Sequence, residues 1–426
     1  MSAQGARAAT AEEGDSPAIT VIHAGTLLAV PGKKAESEQT LILEGERVKA
    51  VRDGFVAPEK VSADARLIDL SDRFVMPGLM DMHVHLQGEL GPDRDKRIVH
   101  MSPEDVAMES ALFARRTLMA GFTTVRDVGN DPASIHALRK AVDKGWVPGP
   151  RIVAATMIAA TGGHGDIDGM NHHLLDKLSD KSRLCDSPDE CRKAVRRAIK
   201  YGADLIKITA TGGVLSDTTT GTGQQMTDAE LEAIMDTAHS LGKKVAAHAH
   251  AAGGINAALR AGVDSVEHGS YANAETHRLM KQGDAMLVPT LLAGHTVVQM
   301  AKTGDFMSPP IRDKAIRVGG DMMDHFREAV KAGVTIAYGT DSGVSRHGTN
   351  AEEAVLMKKG GMGEMAILKS ATVTAARLID READLGTLEA GKLADIVAYD
   401  TSPLEDIATL KSPAFVMQGG VVHLRK

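Results

Sequence analysis

Two histidines stand two positions apart in "DMHVHL", Asp81 to Leu86, a run that is otherwise largely apolar and β-prone. On a strand, residues i and i+2 share a face, so His83 and His85 stand side by side while Met82, Val84 and Leu86 turn the other way. Such a pair is either a set of hydrogen-bonded core histidines or half of a metal site, and ligand-type residues at the ends of other strands separate the two readings. The chain supplies them in Lys207 of "DLIKIT", His248 and His250 of "KVAAHAH", His268 of "SVEHGS" and Asp341 of "YGTDSG". Neutral imidazoles suit Zn²⁺, and water held between two such metals ionises near neutral pH. A lysine at an inward strand position is costly to bury charged. It either pairs with a carboxylate or, as a neutral amine, adds carbon dioxide and offers carbamate oxygens to two metals. Asp341 can bind one metal and take a proton from the attacking hydroxide, or it can cap the next helix.

Elements that would bring these residues together are legible in the hydrophobic pattern. Eight apolar, strand-like runs, "GLMDMHVHL", "FTTVRDVG", "RIVAAT", "DLIKITATGG", "KVAAHAH", "SVEHGS", "MLVPTLL" and "TIAYGTDSG", alternate with helical stretches such as Pro103–Ala120, Asp189–Tyr201, Asp228–Leu241 and Pro310–Ala332. This βα alternation argues an α/β fold with a parallel sheet buried on both faces, and eight repeats suit a closed (β/α)8 TIM barrel over 77–385. The rival, an open doubly wound sheet, lacks a glycine-rich fingerprint after its first strand. In a barrel the C-terminal strand ends converge on one mouth, where the residues above would meet. Short β-prone runs in 18–76 and 386–426 predict a small β-sandwich built from both termini, with Gly419 and Gly420 as a hairpin turn. Residues 1–17, Ala-rich and polar, read as a disordered leader.

Composition narrows the function classes. A chain of 426 residues with 25% charged residues and a net charge of −7 gives no electrostatic case for nucleic acid or an anionic membrane. No apolar run reaches the about 18 residues that a membrane span needs. Cys185 and Cys191 bracket a turn-like segment that either closes a small disulfide loop or keeps two free thiols. Localisation stays open between the cytoplasm and, had a signal peptide been removed, the periplasm or exterior.

The segments "PGLMDMHVHL", "GFTTVRDVG", "ADLIKITATGG", "VAAHAH", "AGVDSVEHGS", "GTDSG" and "LGTLEAGKLADIVAYD", in that order, resemble the metal-dependent amidohydrolase superfamily. Within it the chain is similar to binuclear zinc dipeptidases and carboxypeptidases that release a C-terminal amino acid, and especially to bacterial ochratoxin-degrading amidohydrolases. The resemblance implies two Zn²⁺ per chain, one held by His83, His85 and Asp341 and the other by His248 and His268, bridged by carboxylated Lys207 and a hydroxide. It also implies that His164, in "TGGHGD", polarises the scissile carbonyl, and that His250 binds the substrate's carboxylate or the oxyanion where some relatives carry Tyr. Tyr271 is a further candidate for lining the pocket, and Arg126 and Asp127 read as a structural pair near the mouth. The implied substrate is a small amide or peptide, ochratoxin A included, with a cyclic-amide hydrolase of the imidazolonepropionase kind or a non-catalytic binding barrel as alternatives. A homo-oligomer, an octamer, is implied in the same way, and 21 Met residues would give its contacts adaptable side chains.

Overall fold

The computed structural model describes residues 18–217, 221–304 and 307–426; the leader expected at 1–17 lies outside them. Strands β1 (Ile19–Leu27), β2 (Glu36–Glu44), β3 (Arg47–Asp53) and β4 (Arg66–Pro77) precede the barrel strands. These are β5 (Leu79–Val84), β6 (Phe122–Asp127), β7 (Arg151–Ile158), β8 (Leu205–Thr209), β9 (Val245–Ala249), β10 (Ser265–His268) and β11 (Met286–Val288), followed by β12 (Ile396–Tyr399), β13 (Phe415–Gln418) and β14 (Val421–Arg425).

The seven barrel strands pair in sequence order, β5 through β11, in one parallel sheet. Every residue of β5, β6, β8, β9, β10 and β11 is buried, as strands covered by helices outside and side chains inside must be. The eighth run closes the barrel without becoming a regular strand. Leu287 N–H donates to Thr335 and Ala337 N–H to Leu287 on the β11 side, while Met82 donates to Tyr338, Asp341 to His83 and His85 to Ser342 on the β5 side. Gly339 explains the thin seam: a Cβ there would lie 2.3 Å from Val288 Cγ1 and 3.0 Å from His83 Cβ. Asp341, at φ 58°, then takes the chain out of extended geometry.

The helices start where capping chemistry directs. Ser102 and Asp105 form a capping box before Pro103–Met119, Thr227 and Glu230 another before Asp228–Ser240, and Ser187 caps Pro188–Lys200. Cys185 and Cys191 are joined as a disulfide, which ties the first turn of that last helix to the end of the long excursion after β7. The longest helix, Pro309–Ala332, stops at Gly333 in the left-handed conformation.

Both ends of the chain build the second sheet, in the order β14-β13-β12-β4-β1-β2-β3. It folds over one apolar core to which Ile22, Leu41, Ile68, Ile396 and Phe415 all contribute, the sandwich expected from the two β-rich termini. Gly419 and Gly420, both at positive φ, make the turn between β13 and β14.

Gly339→Ala should therefore destabilise by about 1–3 kcal/mol, the usual scale of overpacking. Gly253→Ala is the control: its site is exposed, helical and has nothing within 4 Å of a new Cβ, so its melting temperature should hold or rise. Equal melting temperatures for the two variants would contradict the seam.

Candidate active site

The strand ends converge on a cavity of about 570 Å³ lined by His83, His85, Lys207, His248, His250, His268, Asp341 and His164. His83, on β5, and His85, one residue past its end, turn to the same inward side as their spacing requires, with ring centroids 5.3 Å apart, while Met80 and Met82 pack into an outer core. The side chains gather in two groups. Ligand-type atoms of His83, His85 and Asp341 lie within 4.8 Å of one another, as do those of His248, His250 and His268. His83 and His268, with centroids 5.0 Å apart, join the groups.

Four of the rings are fixed by their Nδ1 atoms, which pair with Glu267 at 2.8 Å (His83), the Gly129 carbonyl at 2.8 Å (His85), Ser270 Oγ at 2.7 Å (His250) and Thr290 Oγ1 at 2.7 Å (His268). Tying one ring nitrogen leaves Nε2 to face the cavity, the arrangement that orients metal-binding imidazoles. Asp341 Oδ1 stands 3.0 Å from His85 Nε2 and 3.5 Å from His83 Nε2. Among the described residues, Oδ1 of Asp341 and Nε2 of His248 are buried atoms with no hydrogen-bond partner of proper geometry. Both atoms belong to residues that line the cavity, and a buried ring nitrogen and a buried carboxylate oxygen held only by imidazoles fit a bound cation.

Electrostatics favours the same occupant. Burial pushes His83 down to about 4, with Lys207 adding to the effect and Asp341 and Glu267 opposing it. His250 falls to about 4 through burial, and His248 and His268 are lowered well below the ordinary histidine value by burial first and then by the neighbouring histidines and Lys207. These rings are neutral at pH 7 and available as donors to a metal. Burial also lowers Lys207 to about 8, against the pull of Glu267 and Asp341. Asp341 resists its own burial because His83, His85 and Lys207 together hold its carboxyl below the usual range.

Beneath the rings lies a layer that the sequence reading did not single out. Glu267 accepts from Arg126 Nη2 at 2.8 Å and Ser265 Oγ at 2.6 Å besides pairing with His83, and burial is overcome so far that its carboxyl sits near 2. Strict alternation would place Glu267 and His268 on opposite faces, yet both reach the interior because His268 adopts φ 70°. Asp81, inside the "DMHVHL" run itself, accepts from Thr340 N and Oγ1, Asn350 Nδ2 and His83 N, and so ties β5 to the barrel seam. Glu353 accepts from the N–H groups of Leu291 and Leu292, fixing the helix start beside Thr290 and hence the hydroxyl that holds His268.

Two expectations need correction. Tyr271 does not line the cavity: its hydroxyl bonds Asp321 at 3.1 Å and its ring packs edge-on against His325, because His268 and Gly269, both at positive φ, turn the chain toward helix Pro309–Ala332. Arg126 and Asp127 are structural but do not pair with each other. Adjacent strand positions send Arg126 inward to Glu267 and the Met82 carbonyl, whereas Asp127 accepts from Leu86 N and Asn130. His164 does line the cavity, its ring centroid 4.1 Å from that of His248 and its Nδ1 bonded to Ser216 Oγ.

Removing the cation from this layer should be expensive. Arg126→Met leaves Glu267 buried without its guanidinium, at an expected cost of about 3–5 kcal/mol in chemical denaturation. Adding Glu267→Gln in the same chain should recover part of it; wild-type stability for Arg126→Met would show that the pair does not carry this role.

Residues 74–423 match the Amidohydrolase family. Ochratoxinase of Aspergillus niger is 30% identical over 423 residues, covering 94% of this chain and 85% of that protein. An Xaa-Pro dipeptidase, solved with methionine bound in its active site, superposes with a TM-score of 0.90 at 38% identity, covering 96% of this chain and 100% of the other. The crystal structure of A. niger ochratoxinase does so with a TM-score of 0.83 at 28% identity and 97% coverage of each chain. With the family match spanning the barrel and the C-terminal strands of the second sheet, and with two such relatives aligned over 85% or more of their own length, the chain belongs to the amidohydrolase family.

Proposed function

We propose that this chain is a binuclear zinc amidohydrolase that cleaves N-acyl amino acids or peptides and releases the C-terminal amino acid, with hydrolysis of ochratoxin A to ochratoxin alpha and phenylalanine among its reactions. The observation that carries the reading is the convergence of two buried ligand groups and Lys207 on one cavity. Its apolar wall, which includes Leu90, Val214, Leu215, Val297 and Val344, supports a bulky apolar acyl group or side chain. The likeness to an ochratoxinase and to a dipeptidase supports an amide bond next to an amino acid as the scissile bond.

In this reading His83, His85 and Asp341 would hold one zinc and His248 and His268 the other, with Lys207, carboxylated, as a ligand shared between them. Bound zinc supplies a Lewis acid for the carbonyl oxygen and makes water acidic enough to attack near neutral pH. Asp341, ionised in its cationic surroundings, receives the proton of the attacking water and delivers it to the leaving amine. His164 donates toward the carbonyl oxygen, and His250 orients the leaving carboxylate or the oxyanion. The burial that lowers Lys207 also makes its amine a competent nucleophile toward carbon dioxide.

The test is a panel of N-acyl amino acids, dipeptides, ochratoxin A and a cyclic amide, assayed with metal content on the same sample. About two zinc ions per chain and faster cleavage of linear N-acyl-Phe than of the cyclic amide are expected. Preference for the ring would favour an imidazolonepropionase-like reaction instead.

Lys207→Ala should lose both metals' bridge and the activity, and reconstitution of metal-free wild type with zinc and bicarbonate should quicken as pH rises toward about 8, where the amine deprotonates. Near-native turnover by Lys207→Ala without an added short carboxylic acid would remove the bridge from the mechanism. His250→Ala should keep both metals while kcat/KM falls by roughly 10²-fold. Since His250 lies in one group with His248 and His268, loss of a metal in that variant would make it a ligand and exchange its role with that of His248.

A further inference from the structure

Helix Pro309–Ala332 sends a basic side chain, Lys314, into the protein, where its contacts are carbonyls and the nearby acids, Asp168 and Asp217, act only at longer range. Lys314 is 9% exposed, and among the described residues its amine makes hydrogen bonds to carbonyls rather than an ion pair with a carboxylate. Its donors go instead to two main-chain carbonyls about a hundred positions away in sequence, Gly213 at 3.2 Å and Ser216. Burying an ammonium is costly, and carbonyl acceptors return part of that cost only if the loop carrying them stays in place.

That loop follows β8 and leans on His164. Ser216 Oγ bonds His164 Nδ1, and a Cβ at Gly213 would come within 2.4 Å of the His164 ring, so the backbone there lies flat against the imidazole. The side chains of Val214 and Leu215 pack beside Val297, Ala315 and Ile311, which gives the loop an apolar footing on helices Leu291–Thr303 and Pro309–Ala332. From the other side, His164 N–H donates to Gln225 Oε1 at 2.7 Å, and its ring overlaps that of His248. Lys314, two carbonyls, one hydroxyl and one imidazole thus form a continuous line from the outer helix to the cavity.

We infer that Lys314 is a positioning residue for the reaction: it clamps the Gly213–Ser216 loop so that Ser216 holds the His164 ring at the cavity face. The inference rests on the proposed amide hydrolysis only for what His164 does there. Because a displacement of about 1 Å at a reacting centre costs up to roughly 10²-fold in rate, releasing the clamp should be felt in turnover rather than in binding.

A double-mutant cycle on the zinc-loaded enzyme with N-acetylphenylalanine tests this, using Lys314→Met, Ser216→Ala, His164→Ala and the pairs. Lys314→Met and Ser216→Ala should each lower kcat by about 10- to 100-fold with KM within about threefold and zinc content unchanged. In the His164→Ala background each should add less than about twofold, the signature of acting through the same ring. Carbethoxylation of His164 by diethylpyrocarbonate, read by peptide mass spectrometry, should rise roughly threefold or more in both variants as local opening becomes easier. Should Lys314→Met not fold, Lys314→Gln carries the cycle, keeping one donor for one carbonyl. The inference is overturned if the losses multiply in full with His164→Ala, if His164→Ala is itself without effect, or if His164 labelling does not change. A wild-type enzyme that cleaves no amide would sink the proposed function instead, while the labelling still reports whether Lys314 holds the loop.

Discussion

Glu267 is the one carboxylate that the interior of the barrel is arranged around. It is fully buried, and burial alone would neutralise it; it stays ionised because Arg126, Ser265 and His83 each direct a polar group at it. The same contacts settle other matters. Arg126 is held across the barrel between β5, β6 and β10 through the Met82 carbonyl and Glu267, and His83 is committed at Nδ1, so that only Nε2 faces the cavity. A buried pair of this kind adds little net stability over apolar packing, yet it punishes every arrangement that leaves one partner alone. Its value here is in fixing a ring orientation that packing alone would not specify.

Above that layer the cavity brings together side chains that water would keep protonated or solvated. Neutral imidazoles, an amine lowered to about 8 and a carboxylate kept ionised by its neighbours are the expected result of taking a mixed set of titratable groups out of solvent together. Burial depresses His248 and His268 most and the histidines crowded around them add to it, which keeps the group receptive to a cation rather than to protons. Apolar residues on the loops after β5 and β8 limit the water that reaches it.

How much of this was legible depended on whether a residue obeys strand alternation. His83 and His85 do, and their shared face followed directly from their spacing; Lys207 and His248 sit in regular strands and were read the same way. The eight apolar runs and the helices between them were visible because hydrophobic period and capping residues agree along the barrel. Glu267 was not visible, since with His268 inward the alternation sends its neighbour out, and only a left-handed backbone at His268 brings both in. Tyr271 failed for the related reason that two positive-φ residues before it redirect the chain. Thr290, Ser270, Ser216 and Lys314 left no signal at all: a lone hydroxyl or lysine says nothing until a fold places an imidazole or a loop opposite it.

Strand β4, at the middle of the terminal sheet, passes through Gly78 straight into β5, the strand that carries His83. At the joint a Cβ would strike Thr123 at 2.3 Å, and Gly78 N–H donates to Asp395 beside β12, so the two sheets share one taut stretch of backbone with a strand of the C-terminal segment fastened across it. The terminal sheet is therefore not an appendage that can fray while the catalytic barrel persists. Loosening it pulls on the strand that carries the first histidines, which makes the pair a single cooperative unit and gives the chain's last thirty or so residues a hold on chemistry at the far end of the barrel.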